Sequence, residues 1–208
     1  MPAVDCQVPV NNPYTTRWAR CYDRLLCVPP WAQVRRSEER TLAAFSDATF
    51  RPEDRVLEIG PGTGHYTVEL ARRVANVTAV EHSPEMVAQL HRRLQREGVG
   101  NCSVIEGEFV QTPLPSTYDV VVTIGVLDYV SDPVAFLNKA AALAQRELLF
   151  TTVSTGLLAR LHRGANRLRH IDVYTYTPAQ IRSYLPDHQL QIEECGMGLT
   201  LACRATRL

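Results

Sequence analysis

Residues 55–71, with the sequence RVLEIGPGTGHYTVELA, predict a strand, a tight turn and a helix in that order. The apolar run at residues 56–59 has the length and β-branched content of a buried strand. After it, glycine occupies three alternate positions, Gly60, Gly62 and Gly64. From His65 onward the apolar residues recur at helical spacing. Such a turn brings backbone N–H groups close to a ligand at the N-terminus of a helix, so the stretch predicts a binding site.

The composition is that of an ordinary globular domain. The chain has 208 residues, of which 45% are hydrophobic and 21% are charged, enough for one domain with a full core. Lys plus Arg and Asp plus Glu both number 22, so the basic excess of a typical nucleic-acid binder is missing. The first twenty residues lack the apolar centre of a secretory signal, and the longest apolar run is too short to span a bilayer. We therefore expect a cytoplasmic protein without a nucleic-acid partner and without stable membrane insertion.

The six cysteines form no C-x-x-C pair and do not group with histidine at the spacing of a metal site. Such cysteines are typical of free thiols in a reducing compartment. No metal ion is predicted.

Beyond the glycine turn, strand patterns alternate with helix patterns. Helix starts are marked by a capping residue followed by proline at 83–84, 132–133 and 177–178. Further strands are predicted at residues 76–81, 103–105, 118–124, 147–153, 189–194 and 199–204. The alternation predicts βαβ units and a parallel sheet. The last two strands are separated by so few residues that only an antiparallel hairpin can join them.

The glycine spacing distinguishes two kinds of nucleotide-like ligand. A dinucleotide fingerprint needs G-x-G-x-x-G, and His65 stands where its third glycine belongs. The chain instead has E-x-G-x-G-x-G, from Glu58 to Gly64, and Glu81 ends the next strand. This pattern resembles that of class I S-adenosylmethionine-dependent methyltransferases, and the resemblance covers roughly residues 50–153 together with the terminal hairpin.

The resemblance implies a fold and a division of the chain. The fold is expected to be Rossmann-like α/β, with a seven-stranded, mostly parallel sheet, a C-terminal antiparallel hairpin and a helical N-terminal cap. We expect one methyltransferase domain over residues 1–208. Its parts are an arm with cap helices at 1–48, a cofactor-binding core at 50–153, a variable substrate-side segment at 154–185, and the terminal hairpin at 186–208.

The resemblance also implies a cofactor, S-adenosyl-L-methionine, and residues that hold it. In the family the strand-one acid and the glycine loop hold the methionine part, and the acid ending strand two binds the ribose hydroxyls, a task suited to a bidentate carboxylate. A residue soon after that acid packs on the adenine, here Met86, or Ser83 or Pro84, and a thioether suits a flat ring. The cofactor residues implied in this way are Glu58, Gly60, Pro61, Gly62, Gly64, Glu81, His82, Met86, Glu108, Phe109 and Ile124.

Tyr14 and Tyr22 lie on a predicted amphipathic helix ahead of the first strand. The pair resembles the "Y…YD" helix of small-molecule methyltransferases, in which a tyrosine helps to close the cofactor pocket. The alternative is that both rings belong to the apolar face of a packing helix.

The acceptor is expected outside the carboxyl ends of the strands, where open α/β sheets bind ligands. Asp128 and Tyr129 follow strand four and are candidates for positioning the acceptor or acting in catalysis; alternatively, Asp128 only satisfies backbone amides. A hydroxyl acceptor needs a base, for which His162 and His170 are the candidates.

The histidine candidates lie in a basic segment, residues 154–176, that holds four arginines and one acid. One interpretation is a lid that attracts a carboxylate or phosphate on the acceptor through Arg167 and Arg169. The alternative is an amphipathic surface helix with its leucines, Leu157 among them, facing inward. Tyr174 and Tyr176 are predicted on one side of an extended stretch, lining an acceptor pocket.

The predicted reaction is methyl transfer from S-adenosylmethionine to an N or O atom of a small molecule, releasing S-adenosylhomocysteine. N-methylation is preferred because no histidine stands at a strand end as a base. The alternatives are a non-catalytic S-adenosylmethionine-binding partner subunit and a methyltransferase that acts on a protein or a lipid headgroup.

Overall fold

A computed structural model describes residues 49–114, 116–157, 159–160 and 172–208, together with nine single residues at 33, 36, 37, 39, 40, 43, 45, 164 and 167. After residue 54 the described chain forms seven strands and four α-helices with both ends described, and residues 157, 159, 160, 164 and 167 are helical as well. The seven strands and four helices are β1 Arg55–Ile59, α1 His65–Ala71, β2 Asn76–Glu81, α2 Pro84–Arg96, β3 Cys102–Glu106, β4 Tyr118–Thr123, α3 Pro133–Leu143, β5 Ala144–Val153, α4 Pro178–Tyr184, β6 His188–Cys195 and β7 Thr200–Arg207.

The strands form one sheet in the order β3-β2-β1-β4-β5-β7-β6. The first five strands pair in parallel, and β7 runs antiparallel to both of its neighbours. The predicted mostly parallel seven-stranded sheet with a C-terminal antiparallel hairpin is therefore confirmed. Before β1, the described residues from 33 to 49 are helical, while the helix predicted around Tyr14 and Tyr22 lies outside the described residues.

Helices cover the two faces of this sheet because its central strands are apolar on both sides. In β1, Val56 packs on the face that carries α1, while Leu57 and Ile59 join the larger cluster on the other face, with Phe136 and Leu137 of α3. In β4, five of six residues are buried, as expected of a central parallel strand.

The three helix starts predicted from capping residues are confirmed. The Ser83 hydroxyl accepts from the Met86 N–H, and the Asp132 carboxylate accepts from the Ala135 N–H at 2.9 Å. Thr177 and Gln180 form a reciprocal capping box. Capping of this kind depends on neighbours within one helical turn, so it can be predicted from local sequence.

Ion pairs join the elements at the edge of the sheet where the parallel strands begin. The guanidinium of Arg146 donates to both carboxylate oxygens of Asp54, at 3.0 and 2.7 Å. That of Arg204 donates to both oxygens of Glu147, at 2.6 and 2.7 Å, and the Thr49 hydroxyl also donates to Glu147. Bidentate pairs such as these fix the register of strands and the end of the N-terminal helical segment. The opposite edge, where the parallel strands end, is the one left for a ligand.

Within the described ranges, no helix has both the length and the apolar content needed to cross a membrane. In the same ranges, no three His, Cys, Asp or Glu side chains are placed to hold a metal ion.

Candidate functional site

The glycine turn after β1 is held against the neighbouring strand. The Gly60 N–H donates to the Val80 carbonyl at 2.9 Å, and all three glycines have a positive φ, between 57° and 82°. A Cβ at Gly60 would collide with Val126, and one at Gly64 would collide with Leu90. At Gly62 the same atom would meet nothing within 4 Å. Two glycines thus permit close packing, whereas Gly62 faces open space at the edge where a ligand would approach.

The Glu81 carboxylate, at the end of β2, accepts hydrogen bonds from two backbone N–H groups, one in the glycine turn and one just before α2. One oxygen accepts from the Gly62 N–H at 3.0 Å, and the other accepts from the Ser83 N–H at 2.9 Å. The His82 ring nitrogen Nδ1 lies 3.2 Å from the same carboxylate, which raises the pKa of His82. The other ring nitrogen, Nε2, is buried and has no hydrogen-bond partner among the described residues. Glu81 therefore links the glycine turn, the end of β2 and the start of α2.

Glu58 is a buried acid in the middle of this arrangement. Its side chain lies on β1 with 3% of the residue exposed, and its Oε2 has no hydrogen-bond partner among the described residues. Burial raises the pKa of Glu58 to about 7, and the nearby charge of Glu81 acts in the same direction. A buried acid poised near neutrality beside a glycine turn is the kind of group found at ligand sites, because a bound cation would stabilise its charged form.

A compact loop, residues 107–112, follows β3 next to Glu81. The Gly107 N–H donates to the Glu81 carbonyl at 2.9 Å, and the Glu108 carbonyl accepts from the N–H groups of Gln111 and Thr112. The Phe109 ring is buried and packs edge-to-face on Phe136, with ring centres 5.1 Å apart. The Phe109 ring is part of the main core, and the predicted part of Glu108 and Phe109 in binding the cofactor stays a prediction.

The remaining predicted cofactor residues lie at the same edge of the sheet. Met86 is buried on the first turn of α2, and Ile124, immediately after β4, is partly buried. Pro61 is the buried residue between the first two glycines of the turn. Tyr14 and Tyr22 lie outside the described residues, so their predicted part in closing the pocket stays a prediction.

Asp128 lies in a short 3₁₀ turn, Leu127–Tyr129, after β4. Its Oδ1 accepts from the Val153 N–H at 2.6 Å and from the Thr152 hydroxyl at 2.9 Å. This geometry agrees with the alternative in which Asp128 satisfies backbone amides. Tyr129 is partly buried and packs on a small cluster near the end of β5 that includes Val153 and Leu199.

The stretch that contains Tyr174 and Tyr176 runs back along the ends of β4 and β5. The Tyr174 N–H donates to the Asp128 carbonyl at 2.8 Å, and the Tyr176 N–H donates to the Val153 carbonyl at 3.0 Å. The two side chains differ in environment, and their predicted part in lining an acceptor pocket stays a prediction. Tyr176 is buried against Tyr184 and its hydroxyl has no partner among the described residues, while Tyr174 is 40% exposed. Burial raises the pKa of Tyr176, and the Asp128 charge adds to that effect.

The basic segment is described only in part. Leu157 is 74% exposed, so the prediction that it faces inward is wrong. Ala159, two positions later, is buried and packs on Val153 and Val173. Arg160 and Arg167 are exposed. The predictions for His162, Arg169 and His170 fall outside the described residues.

One residue at this edge was missed at the sequence level. Lys139 of α3 donates to three carbonyls of the loop at 107–112. The signal available in the sequence is that Lys139 is the only lysine of the chain.

Comparison with known proteins agrees with this geometry. Residues 56–147 match the methyltransferase domain family. The dimethyladenosine transferase of Saccharomyces cerevisiae is 44% identical over 69 residues, which cover 33% of this chain and 22% of that protein. The mitochondrial ubiquinone biosynthesis O-methyltransferase of Schizosaccharomyces pombe is 37% identical over 111 residues, which cover 51% and 40%. The structure of magnesium protoporphyrin IX methyltransferase from Synechocystis, with bound S-adenosylhomocysteine, superposes with a TM-score of 0.68 at 20% identity, covering 85% of this chain and 84% of that one.

The strand order, the glycine turn and the acid at the end of β2 define a class I methyltransferase fold. Residues 56–147 carry the match to the methyltransferase domain, and the predicted resemblance to class I S-adenosylmethionine-dependent methyltransferases is confirmed. The chain spans between 22% and 40% of the length of these two curated relatives.

Proposed function

We propose that this protein transfers a methyl group from S-adenosyl-L-methionine to an N or O atom of a small-molecule acceptor and releases S-adenosylhomocysteine. The observation that carries the proposal is the arrangement of Glu81, which ends β2 and bonds to the open glycine turn at Gly62. A carboxylate in this position presents a charge-assisted acceptor to ribose hydroxyls. The matches to methyltransferase domains support the same conclusion.

The described residues fit the cofactor in its charge as well as its shape. The buried Oε2 of Glu58 lacks a partner among the described residues, and the ammonium and sulfonium of S-adenosylmethionine are cations. Gly62 leaves room for the methionine and ribose parts to approach the backbone. The residues proposed to hold the cofactor are Glu58, Gly60, Pro61, Gly62, Gly64, Glu81, His82, Met86, Glu108, Phe109 and Ile124, with Tyr14 and Tyr22 proposed to close the pocket.

When bound, S-adenosylmethionine supplies a methyl group on a positively charged sulfur. A lone pair of the acceptor attacks the methyl carbon in line with the carbon–sulfur bond, and the sulfur leaves as the neutral thioether of S-adenosylhomocysteine. The protein then has three tasks: to align the acceptor, to exclude water and to keep the attacking atom unprotonated. Glu81 and the glycine turn orient the donor. The edge formed by Tyr129, Tyr174 and Tyr176 would hold the acceptor, with Arg167 and Arg169 attracting an acceptor that carries a negative charge.

A nitrogen acceptor is preferred, because it needs little more than desolvation to react. No histidine of the described residues at the ends of β1, β4 or β5 offers a base for a hydroxyl. For an oxygen acceptor, His162 and His170 are the proposed bases. The likeness to an O-methyltransferase of ubiquinone biosynthesis favours a small molecule while supporting the oxygen alternative.

A nucleic-acid acceptor is a second candidate. The observation in its favour is the 44% identity to a dimethyladenosine transferase, which is confined to a third of the chain. The formal net charge of zero favours the small molecule, since neutralising phosphates requires a basic surface. Transfer of a radioactive methyl group to RNA, compared with transfer to a panel of amines and phenols, separates the two candidates.

Isothermal titration with S-adenosylmethionine and S-adenosylhomocysteine tests the cofactor assignment. We expect micromolar binding of both ligands, and we expect Glu81→Ala to weaken it more than tenfold. Glu106→Ala is the matched control, because Glu106 lies opposite Glu81 on β3 and is exposed. Binding of neither ligand by the wild-type protein would rule out the enzyme. Binding without methyl transfer to any acceptor would favour a non-catalytic partner subunit.

A further inference from the structure

Lys139 makes an unusual set of contacts on α3. Its ammonium donates to the carbonyl oxygens of Phe109 at 2.6 Å, Thr112 at 2.7 Å and Val110 at 3.0 Å. It also lies 4.8 Å from the centre of the Phe109 ring, within the range of a cation–π contact. Three converging carbonyls use the whole donor capacity of one ammonium group. Lys139 therefore holds the loop at 107–112 in one conformation.

The chain uses lysine only here. Lysine and arginine together number 22, and every one of them except Lys139 is an arginine. A guanidinium is a flat fork that suits a carboxylate, whereas an ammonium is compact and directs three N–H groups toward separate acceptors. Carbonyls that converge on one point require the second geometry. The single lysine thus stands where an arginine would not reproduce the contacts.

The helix that carries Lys139 holds the same loop through a second side chain. Phe136, one turn earlier on α3, packs edge-to-face on the Phe109 ring that Lys139 also contacts. The loop is bonded to β2 as well, because the Gly107 N–H donates to the Glu81 carbonyl. Residues 107–112 are thus fixed between α3 and the strand that carries the proposed ribose acid.

The strand order places this loop on the base side of the proposed cofactor site. The methionine part is assigned to the turn after β1 and the ribose to Glu81 at the end of β2. Because β3 lies on the far side of β2 from β1, a base attached to that ribose extends toward the end of β3. The loop at 107–112 begins there. We propose that Lys139 is a positioning residue for cofactor binding, one that holds the base-side loop without touching the cofactor itself; this inference rests on the proposed function.

The test compares S-adenosylhomocysteine with S-ribosylhomocysteine, which keeps the ribose and amino-acid parts but lacks the base. Lys139→Met keeps the length of the side chain and removes the ammonium. We expect Lys139→Met to weaken the binding of S-adenosylhomocysteine about tenfold, in line with the loss of charge-assisted hydrogen bonds. The affinity for S-ribosylhomocysteine should change less than twofold. Lys139→Arg should fall between wild type and Lys139→Met. Asn138→Met, at an exposed position of the same helix, is the control and should bind both ligands as the wild type does.

The outcomes separate this inference from the proposed function. If Lys139→Met weakens the binding of both ligands equally, or does not weaken the binding of S-adenosylhomocysteine, the positioning role is overturned. The proposed methyltransferase function would be unaffected by either result. Binding of neither ligand by the wild type would overturn both. If Lys139→Met does not fold, lysine labelled with ¹³C gives one side-chain NMR signal in the wild type, from Lys139 alone. The chemical shift of that signal should change when S-adenosylhomocysteine is added and stay the same when S-ribosylhomocysteine is added. A chemical shift that changes with neither ligand would overturn the inference.

Discussion

The Asp128 carboxylate accepts a hydrogen bond of 2.6 Å from the backbone N–H of Val153, the last residue of β5. The Thr152 hydroxyl donates to the same oxygen, and the carbonyl of Asp128 accepts from Tyr174. Asp128 is only 7% exposed. Asp128, in the turn that follows β4, therefore joins the end of β5 to the stretch around Tyr174 that would border the acceptor. We therefore propose that Asp128 positions the edge at which the acceptor would bind.

We expect Asp128→Ala to lower the free energy of unfolding by about 1–3 kcal/mol, because the buried Val153 N–H loses its acceptor. Asp128→Asn keeps an oxygen at the same place and should cost less. Urea unfolding measures both. Asp187→Ala, at an exposed position, is the control and should cost less than about 0.5 kcal/mol.

Activity separates positioning by Asp128 from chemistry. If Asp128 only positions the edge, Asp128→Asn should retain most of the methyl-transfer rate and Asp128→Ala should lose more of it. A folded Asp128→Asn protein whose kcat falls a hundredfold would show instead that the negative charge acts on the acceptor, as the sequence-based hypothesis of a catalytic Asp128 has it.

The buried Glu58 should make the ligand-free protein less stable as the pH rises. Its pKa is raised from 4.5 to about 7 in the folded protein, so the folded state keeps a proton that the unfolded state has lost. The stability that this proton confers is complete below about pH 4.5 and is lost as the pH rises to about 7. Glu58→Gln removes the titration. We expect the stability of Glu58→Gln relative to wild type to rise by about 2 kcal/mol between pH 5 and pH 8.

Urea unfolding at pH 5, 6, 7 and 8 without cofactor measures this difference. Glu106→Gln, the same substitution at an exposed position of β3, is the control. A Glu58→Gln difference that does not change with pH would mean that Glu58 is ionised in the folded protein throughout this range.

Much of the fold was predictable because its signals are local. The capping residues Ser83, Asp132 and Thr177 start helices where the sequence indicated, since each cap bonds to a residue three positions on. Glu81 could be placed at a strand end because one short apolar run precedes it. The antiparallel hairpin followed from the few residues between its two strands.

Contacts between distant parts of the chain were not predictable in this way. Asp128 bonds to residues 24 and 25 positions later, and Lys139 bonds to a carbonyl 30 positions earlier. Such partners depend on the packing of strands and helices, which periodicity does not specify. The error at Leu157 has a related cause: helical spacing groups residues on a face but does not say which face meets the core.

Arg167→Ala tests the interpretation of the basic segment as a lid. Arg167 is exposed, so its charge is available to an acceptor that carries a carboxylate or phosphate. For such an acceptor, identified from a panel, we expect KM to rise about three- to tenfold with kcat unchanged, and the effect to shrink with added NaCl because salt screens exposed charges. Arg92→Ala, on an exposed position of α2, is the control. Kinetics identical to wild type would favour the surface-helix alternative.

Alanine at each glycine of the turn should separate folding from binding. All three positions have a positive φ, so each substitution should cost about 1–2 kcal/mol through the left-handed backbone. Gly60→Ala and Gly64→Ala should cost more, because the added Cβ collides with Val126 or Leu90. Gly62→Ala meets no neighbour within 4 Å, so it should fold and yet bind S-adenosylhomocysteine more than tenfold more weakly, since its methyl group enters the space assigned to the cofactor. Urea unfolding and isothermal titration measure the two effects. A Gly62→Ala protein with wild-type affinity would show that the cofactor does not approach the turn at this residue.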